Sequence, residues 1–393
     1  MARETFDVAI VGGGIMGWAA ARALRKEGFD GSVVVIERDP TYREGSTGRA
    51  VGGVRQQFST PENIRLTRAS LDLISDLCDE FGADGDVGFQ ERGYLILATA
   101  SGRPILLENA AVQHAEGAAT RVLGPSELAK RFPWLATDGI AAATLGERDE
   151  GWLDPASLHN LLRRSASASN VTARTGEVTA IAADGGHGYA VSLSGSDQIG
   201  CGILVNAAGA WAGGIAAYLG VELPVGPRKR FVYVLDCRNP PPELYAAPLT
   251  VDPTGFYFRP ESRHFICGQS PGAADEPDAN DLDAIDHSWF EDTIWPALAA
   301  RIPAFEAVKV INAWAGYYDY NALDQNAIIG PHPDHAGLYF LTGFSGHGVQ
   351  QAPAAGRAIA ELIVHGRFVT LDLERFGVRR ILDGTPLRER NMI

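Results

Sequence analysis

Cysteine and lysine are both scarce in this sequence, each occurring four times in 393 residues. Cys78, Cys201, Cys237 and Cys267 are widely separated and form no C-x-x-C pair. That excludes a disulfide framework and a zinc site, leaves no metal to be expected, and fits a reducing compartment. The lysines, Lys26, Lys130, Lys229 and Lys309, are dispersed, and the net charge is −14. With no basic stripe, nucleic acid and an anionic membrane surface are excluded as main partners. No apolar run reaches the length of a transmembrane segment, and the first apolar strand begins a few residues after Met1 without a basic-then-apolar leader. The expected location is the cytoplasm. What is abundant is glycine, 45 residues, within a chain that is 46% hydrophobic and long enough to bury a sizeable core in two domains.

The glycines matter first in DVAIVGGGIMGWAAARALRKEGFDGSVVVIERD, Asp7 to Asp39. A continuous β-branched run of the kind buried in a parallel sheet leads into Gly12-Gly13-Gly14-Ile15-Met16-Gly17 and then into a helix-forming stretch closed by Gly28. Gly12 suits the tight turn, Gly14 the close approach of a pyrophosphate, and Gly17 the packing of helix on strand, so that phosphates meet a helix N-terminus. A second strand ends at Glu37, 20 residues after Gly17, where an acidic side chain takes ribose hydroxyls. Glu37 disfavours the 2′-phosphate of NADP, although Arg38 stands beside it. NAD and FAD stay open at this point. The long polar loop TYREGSTGRAVGGVRQQFSTPEN, 41 to 63, departs from the unbroken strand–helix alternation of an NAD enzyme and has the length to wrap a flavin.

Further along, IRLTRASLDLISDLCDEFG carries Leu66, Leu73, Ile74, Leu77 and Phe81 at helical spacing, GYLILAT reads as a strand, and Asp154-Pro155 caps a helix. VTAIAA, YAVSL and GILVNAAG read as strands, the last running into a helix over AWAGGIAAYLG. From about 226 to 330 the character changes to aromatic-rich antiparallel strands, RFVYVLD, GFYFRP, RHFICGQ and VKVINAWAGYY, with one helix over DHSWFEDTIWPALAARI. NPPPE and PGAADEPDAND read as surface loops. GLYFLTGFSGHGVQQAPAAGRAIAELIVHG is again strand, glycine turn and helix, so the nucleotide fold resumes at the C-terminal end.

Four of these stretches, VAIVGGGIMGWAAA, STGRAVGGVRQQFS, ILVNAAGAWA and GFSGHGVQQAPAAGR, together resemble the D-amino-acid oxidase and sarcosine oxidase superfamily of flavoproteins. RQQFSTPENI, PRKRFVYV, AWAGYYDYN, DQNAIIGPHP and RERNMI extend the likeness, over nearly the whole chain, to the FAD-dependent oxidoreductase domain-containing proteins. The resemblance implies an α/β fold, with an FAD-binding Rossmann-like domain of the glutathione-reductase type and a second, antiparallel-sheet substrate domain. Residues 1–88, 152–225 and 331–393 are expected to form the first, and 89–151 and 226–330 the second. It further implies Gly12, Gly14, Ile15, Met16 and Gly17 on the pyrophosphate of FAD, with Glu37 and Arg38 at the adenosine ribose. Ser46, Thr47, Gly48, Gly52 and Gly53 come near the pyrophosphate or the flavin, Val178 at the adenine, and Ala208 and Gly209 on the opposite side. Gly346, His347, Gly348, Val349 and Gln350 come at the pyrimidine edge, where N–H groups stabilise the charge of the reduced ring. Relatives that tether the flavin use a cysteine in the strand matching AWAGYY or a histidine in the N-terminal loop. Here Gly316-Tyr317-Tyr318 stand at the first place and residues 41–59 hold no histidine, so non-covalent FAD is expected.

Such enzymes need a dry pocket and a cation for the substrate carboxylate, a task that suits arginine's planar fork. Arg259 is the first candidate, with a strand-edge salt bridge as its alternative role. Arg55 is the second and Arg230 the third, the latter also readable as part of a solvated basic cluster. Two inward arginines would favour an N-substituted dicarboxylic amino acid such as iminodiacetate. Tyr257, Tyr317 and Tyr318 are candidates to line the pocket, or else core packing. His347 could serve as a base or only orient. Gln350 stands where some relatives have a substrate-binding lysine. No lysine falls in RHFICGQ, where sarcosine oxidases place one to activate oxygen, which tilts the electron acceptor from O2 toward a quinone or carrier protein. The expected activity is oxidation of the C–N bond of a small anionic, secondary or tertiary amino acid. A different class of reading is a flavin-containing assembly factor or scaffold for a respiratory complex.

Overall fold

The β-branched run Val8–Val11 is fully buried in strand Glu4–Val11, and the first sheet grows outward from it. Strand Val33–Glu37 pairs parallel on one side and Gln198–Asn206 on the other, followed by Thr172–Thr175 and Leu338–Thr342, also parallel. Burial on both faces is why the inner strands Glu4–Val11 and Val33–Glu37 read as continuous apolar runs rather than alternating ones, whereas the edge strand Thr172–Thr175 is polar and largely exposed. Strand Ile328–Pro331 closes one edge antiparallel, and a hairpin of Val178–Ala183 and Tyr189–Leu193 hangs on Gln198–Asn206. In this computed structural model the described residues are 3–185, 188–272 and 276–391. Residues 273–275 of the expected surface loop PGAADEPDAND lie outside them, as do Met392 and Ile393 of RERNMI.

Helices Ile15–Lys26, Pro61–Phe81, Pro155–Ala168 and Gly348–His365 contribute to one core on a face of this sheet. The second sheet runs Val308–Asn321, Val225–Cys237, His264–Gln269, Phe256–Glu261, Leu249–Val251, Tyr94–Ala98, Ala142–Gly146, Thr120–Leu123. All its pairings are antiparallel except that of Leu249–Val251 with Tyr94–Ala98. Its core is aromatic, with Phe231, Tyr233, Phe256, Phe258, Phe265 and Phe305 buried together. The chain is thus an α/β protein in which a Rossmann-like sheet is joined to a mainly antiparallel one.

One expectation is corrected and two are refined. The helix expected over AWAGGIAAYLG starts as a 3-10 turn, Gly209–Trp211, and goes on as the short helix Ala212–Ala217, ending before Gly220. The helix expected over DHSWFEDTIWPALAARI runs without a break from His287 to Arg301, as His287–Trp289, a π turn Phe290–Ile294 and Trp295–Arg301. Pro296 offers no N–H and crowds the carbonyl four residues back, a site where i→i+5 bonding relieves the clash. Residues 328–330, expected in the second region, pair within the first sheet.

Candidate functional site

A cavity of about 650 Å³ runs from the first glycine turn to the face of the second sheet. Helix Ile15–Lys26 starts at its wall. Gly14, the N-cap, has extended backbone and provides no side-chain cap; the Ile15 N–H donates to Thr47 Oγ1 at 3.1 Å. Trp18 is the first residue whose N–H reaches a helical carbonyl, that of Gly14. The N–H groups ahead of it give the cavity a positive rim, suited to a phosphate. The three motif glycines differ in what holds them. A Cβ on Gly12 would sit 2.3 Å from the Ala207 carbonyl oxygen, and one on Gly17 would sit 1.9 Å from that of Gly12, so strand and helix could not meet. A Cβ on Gly14 would meet only Thr47 Oγ1, at 3.6 Å, and otherwise point into open space. The bareness of Gly14 therefore serves what occupies the cavity rather than the fold.

Glu37 closes this end. Its Oε2 accepts the Gly13 N–H at 2.8 Å and its Oε1 that of Asp39 at 2.9 Å, which fixes the carboxylate at the strand end where a ribose would lie. At the other end, helix Gly348–His365 also begins without a side-chain cap, its N-cap being His347. The turn before it has positive φ at Ser345 (50°) and Gly346 (100°). Ser345 is buried there and its Oγ accepts the Asn321 N–H, which holds the strained conformation. Two uncapped helix starts therefore face one cavity, a fit for a ligand with negative charge at two places, such as a pyrophosphate and a ring that gains charge on reduction.

Of the residues expected around FAD, Gly12, Gly14, Ile15, Met16, Glu37, Arg38, Ser46, Thr47, Gly52, Gly53, Val178, Ala208, Gly209 and Gly346 through Gln350 line the cavity. Gly17 and Gly48 do not. Gly17 faces the Gly12 carbonyl, and Gly48 lies over that of Tyr42. Among the described residues that line the cavity there is no cysteine, and the one histidine has both nitrogens engaged.

On the second-sheet side the lining includes Arg55, Tyr94, Arg230, Tyr257, Tyr317 and Tyr318. Arg55 is only 3% exposed. Its Nη1 donates to the Gln57 carbonyl at 2.5 Å, and its Nη2 to the Asn391 carbonyl at 2.8 Å and to His347 Nε2 at 3.3 Å. A guanidinium has five N–H donors, so these three contacts leave two. Arg230 stacks on Tyr318 and is held by Glu276, at 2.5 and 3.4 Å, and by the Lys229 carbonyl.

Arg259, the first sequence candidate, is outside the lining. Its guanidinium donates to the Val51 and Pro260 carbonyls and to Glu261, and stacks 4.9 Å from the Trp152 ring. It shares a strand face with Tyr257, but two residues further on, about 7 Å, it has passed the chamber. There it supports the loop that carries Gly52 and Gly53.

His347 is not available as a base. Its Nδ1 lies 2.7 Å from the Phe344 carbonyl, which can only accept, so Nδ1 carries the proton and Nε2 faces Arg55. Burial, reinforced by the Arg55 charge, pushes its pKa well down and keeps it neutral. Burial pushes the phenols of Tyr94, Tyr257 and Tyr318 up, so they remain hydrogen-bond donors. Two acids were missed from sequence. Asp319 lines the cavity, its Oδ2 accepting the Phe344 N–H at 3.0 Å while burial raises its pKa to about 6. Glu150 lies behind the wall, raised by burial to about 7 although Gln57 Nε2 and the Gln56 N–H donate to it. Neither belongs to a motif; only the strand alternation beyond Tyr317 could have pointed to Asp319. Lys229, the lysine nearest in sequence to Arg230, donates to the Asp281 and Ala284 carbonyls.

With this geometry in place, the model of FAD dependent oxidoreductases matches residues 7–362. The chain belongs to the FAD-dependent oxidoreductase family. This oxidoreductase is 43% identical over 429 residues to FAD-dependent oxidoreductase domain-containing protein 1 of Xenopus laevis, covering 99% of the chain and 85% of that relative. It is 26% identical to glycine oxidase of Geobacillus kaustophilus, over 95% of this chain and 97% of that one. Among solved structures it is similar to L-proline dehydrogenase from P. horikoshii, with a TM-score of 0.84 and 27% identity over 98% and 99% of the two chains. It is an FAD-dependent flavoprotein, and its relatives include oxidases and dehydrogenases of amino acids. Among the described residues no helix is long and apolar enough to cross a membrane, and no group of side chains is arranged to hold a metal ion.

Proposed function

We propose that this protein oxidises the C–N bond of a secondary or tertiary, N-substituted amino acid. The observation that carries the reading is Arg55: a buried, cavity-lining guanidinium with two N–H donors to spare, set among three tyrosines whose hydroxyls stay protonated. Those two, the Nε–H and one Nη1–H, can each donate a charge-assisted hydrogen bond to a carboxylate. The tyrosines and the apolar wall of Val232 and Leu249 exclude water from the adjoining carbon and nitrogen. When bound, FAD supplies at N5 the acceptor for the hydride that leaves the carbon beside nitrogen; the resulting imine is then hydrolysed to an amine and an aldehyde or oxo acid.

The roles proposed for the chain's own residues follow from their contacts. Gly12 to Met16 and Thr47 receive the pyrophosphate, Glu37 the adenosine ribose, and Gly346 to Gln350 the pyrimidine edge. The domain division is proposed to follow the two sheets, FAD held mainly by the first and substrate by the second. His347 and the tyrosines supply no base, so the amine is taken in its neutral form. Arg230 is the site for a second carboxylate, which would exchange with Glu276; iminodiacetate meets that description. The absence of any lysine among the described lining residues supports a dehydrogenase that passes electrons to a quinone or carrier protein rather than to O2.

The test is anaerobic mixing of the yellow, flavin-loaded protein with a panel of N-alkyl amino acids and iminodiacetate. Loss of the visible flavin bands is the expected result. A loaded protein bleached by none of them would overturn the enzymatic reading and favour the scaffold. Dye-linked turnover well above oxygen uptake would support the dehydrogenase.

A further inference from the structure

The last described residues fold back onto the wall of the cavity. Leu387 is fixed by Asp324, which accepts its N–H at 2.9 Å, and by Asn326 Nδ2, which donates to its carbonyl at 2.5 Å. Glu389 is 7% exposed although it lies near the chain's end. One of its oxygens accepts the Ser59 N–H and hydroxyl, both at 2.7 Å, and the Asn391 N–H at 2.9 Å. The other accepts the Thr60 N–H at 3.0 Å and Asn63 Nδ2 at 3.2 Å. Asn391 then reaches Arg55 in two ways. Its carbonyl accepts from Arg55 Nη2, and its Nδ2 donates at 2.5 Å to the Gln57 carbonyl that also receives Arg55 Nη1. Two of the three contacts that orient Arg55 therefore depend on this segment.

We propose that Leu387–Asn391 is a positioning strap for the substrate anchor, with Glu389 as its pin and Asn391 as the group that aims the free N–H donors of Arg55. The proposal rests on the reading that Arg55 binds a substrate carboxylate. Arginine is long and flexible, and burial alone does not select one direction for its fork; a carbonyl placed on one side of the guanidinium does. Burial works against the charge on Glu389, but the Ser59 donors and the nearby Arg55 outweigh it and hold its carboxyl below the ordinary range. The strap thus brings a carboxylate and a carbonyl to the loop that leads out of Arg55, where the sequence motif itself provides neither. A plain capping role for Glu389 at the start of helix Pro61–Phe81 is the competing account, since Thr60 at its N-cap makes no side-chain bond of its own.

The two accounts separate in a double-mutant cycle. Flavin-loaded protein is titrated anaerobically with anthranilate, a carboxylate with no oxidisable carbon beside its nitrogen, and binding is read from the flavin spectrum. Arg55→Met is expected to weaken binding about thirty-fold or more and Glu389→Ala roughly ten-fold, both with flavin content unchanged, and the double variant to be no weaker than Arg55→Met alone. Glu389→Gln, which keeps an acceptor, is expected between Glu389→Ala and the unaltered protein. If Glu389→Ala does not fold, Asn391→Ala takes its place in the cycle, with the same direction and the same non-additivity expected. Unchanged binding in the strap variants, or losses that add to that of Arg55→Met, overturns the strap while the Arg55 reading stands. Unchanged binding in Arg55→Met, or no anthranilate binding by the unaltered protein, removes the anchor and the strap together.

Discussion

Gly14→Ala separates what the fold needs from what the cofactor needs. Gly14 has φ −65° and ψ −174°, a conformation open to alanine, and its added Cβ would make one ordinary contact, 3.6 Å to Thr47 Oγ1. At an N-cap the change costs less than about 1 kcal/mol. It is offset in part by about 0.4–1 kcal/mol from the reduced freedom of the unfolded chain. The apo-protein should therefore melt within a few degrees of the unaltered one. FAD should not bind as before, because the methyl occupies the space through which a phosphate reaches the backbone N–H groups. A hydrogen bond to a charged group is worth roughly 1.5–3 kcal/mol. Each bond lost therefore raises the Kd about ten- to hundred-fold. Titration of apo-protein with FAD, followed by flavin fluorescence, gives the Kd, and calorimetry gives the melting temperature. Gly17→Ala is the converse control: its Cβ would stand 1.9 Å from the Gly12 carbonyl oxygen, so the apo fold itself should be strongly destabilised. A Gly14→Ala protein with unaltered FAD affinity would refute the placing of the pyrophosphate at this turn.

Arg55→Met should raise the KM for an amino-acid substrate by a factor worth roughly 2–5 kcal/mol while the protein keeps its flavin; an unchanged KM would take Arg55 out of the chamber. Arg259→Met should do the reverse, lowering the melting temperature as the Val51 carbonyl and Trp152 lose their partner, with a smaller effect on KM. An effect on KM as large as that of Arg55→Met would return Arg259 to the substrate. Glu150 gives a pH signature. Burial raises its pKa to about 7 in the folded protein against 4.5 for an ordinary glutamate, so between those values the folded state holds a proton that the unfolded chain has released. Its contribution to stability therefore falls as pH rises from about 4.5 to about 7. The melting temperature of Glu150→Gln should gain on that of the unaltered protein across this window, and parallel curves would refute the assignment.

The legible parts of the sequence were those in which a short segment dictates its own geometry. Gly12 and Gly17 are fixed by contacts within one strand–turn–helix unit, so the spacing alone placed the first sheet, the helix start and Glu37. The helix through Pro296 is equally local, and the π turn before it is set by the missing N–H of that one residue. The stretch from Arg103 to Gly146, a helix, a strand, a second helix and a further strand, went unassigned. Its pairing partner Tyr94–Ala98 is near, but that strand joins the rest of the sheet through Leu249–Val251, far along the sequence, so the sheet that organises it cannot be read from any one window.

The substrate side shows why the arginines could not be ranked from sequence. Strand alternation puts Arg259 and Tyr257 on one face, but alternation fixes the face and not the distance along it. Phe258, between them, packs against Trp134 and Phe305 on the opposite face. The chamber ends within the single pleat that separates Tyr257 from Arg259, at the point where the Val51 carbonyl crosses. Each guanidinium gives three hydrogen bonds to its neighbours and keeps two donors, so what distinguishes Arg55 from Arg259 is that Arg55 lies on the chamber wall. Those neighbours are Gln57 and His347 in the one case, with Asn391 from the other end of the chain, and Val51, Pro260 and Glu261 in the other. A residue's chemistry is written in its own side chain, whereas the place its spare donors face depends on segments more than 200 positions away, and only the fold brings the two together.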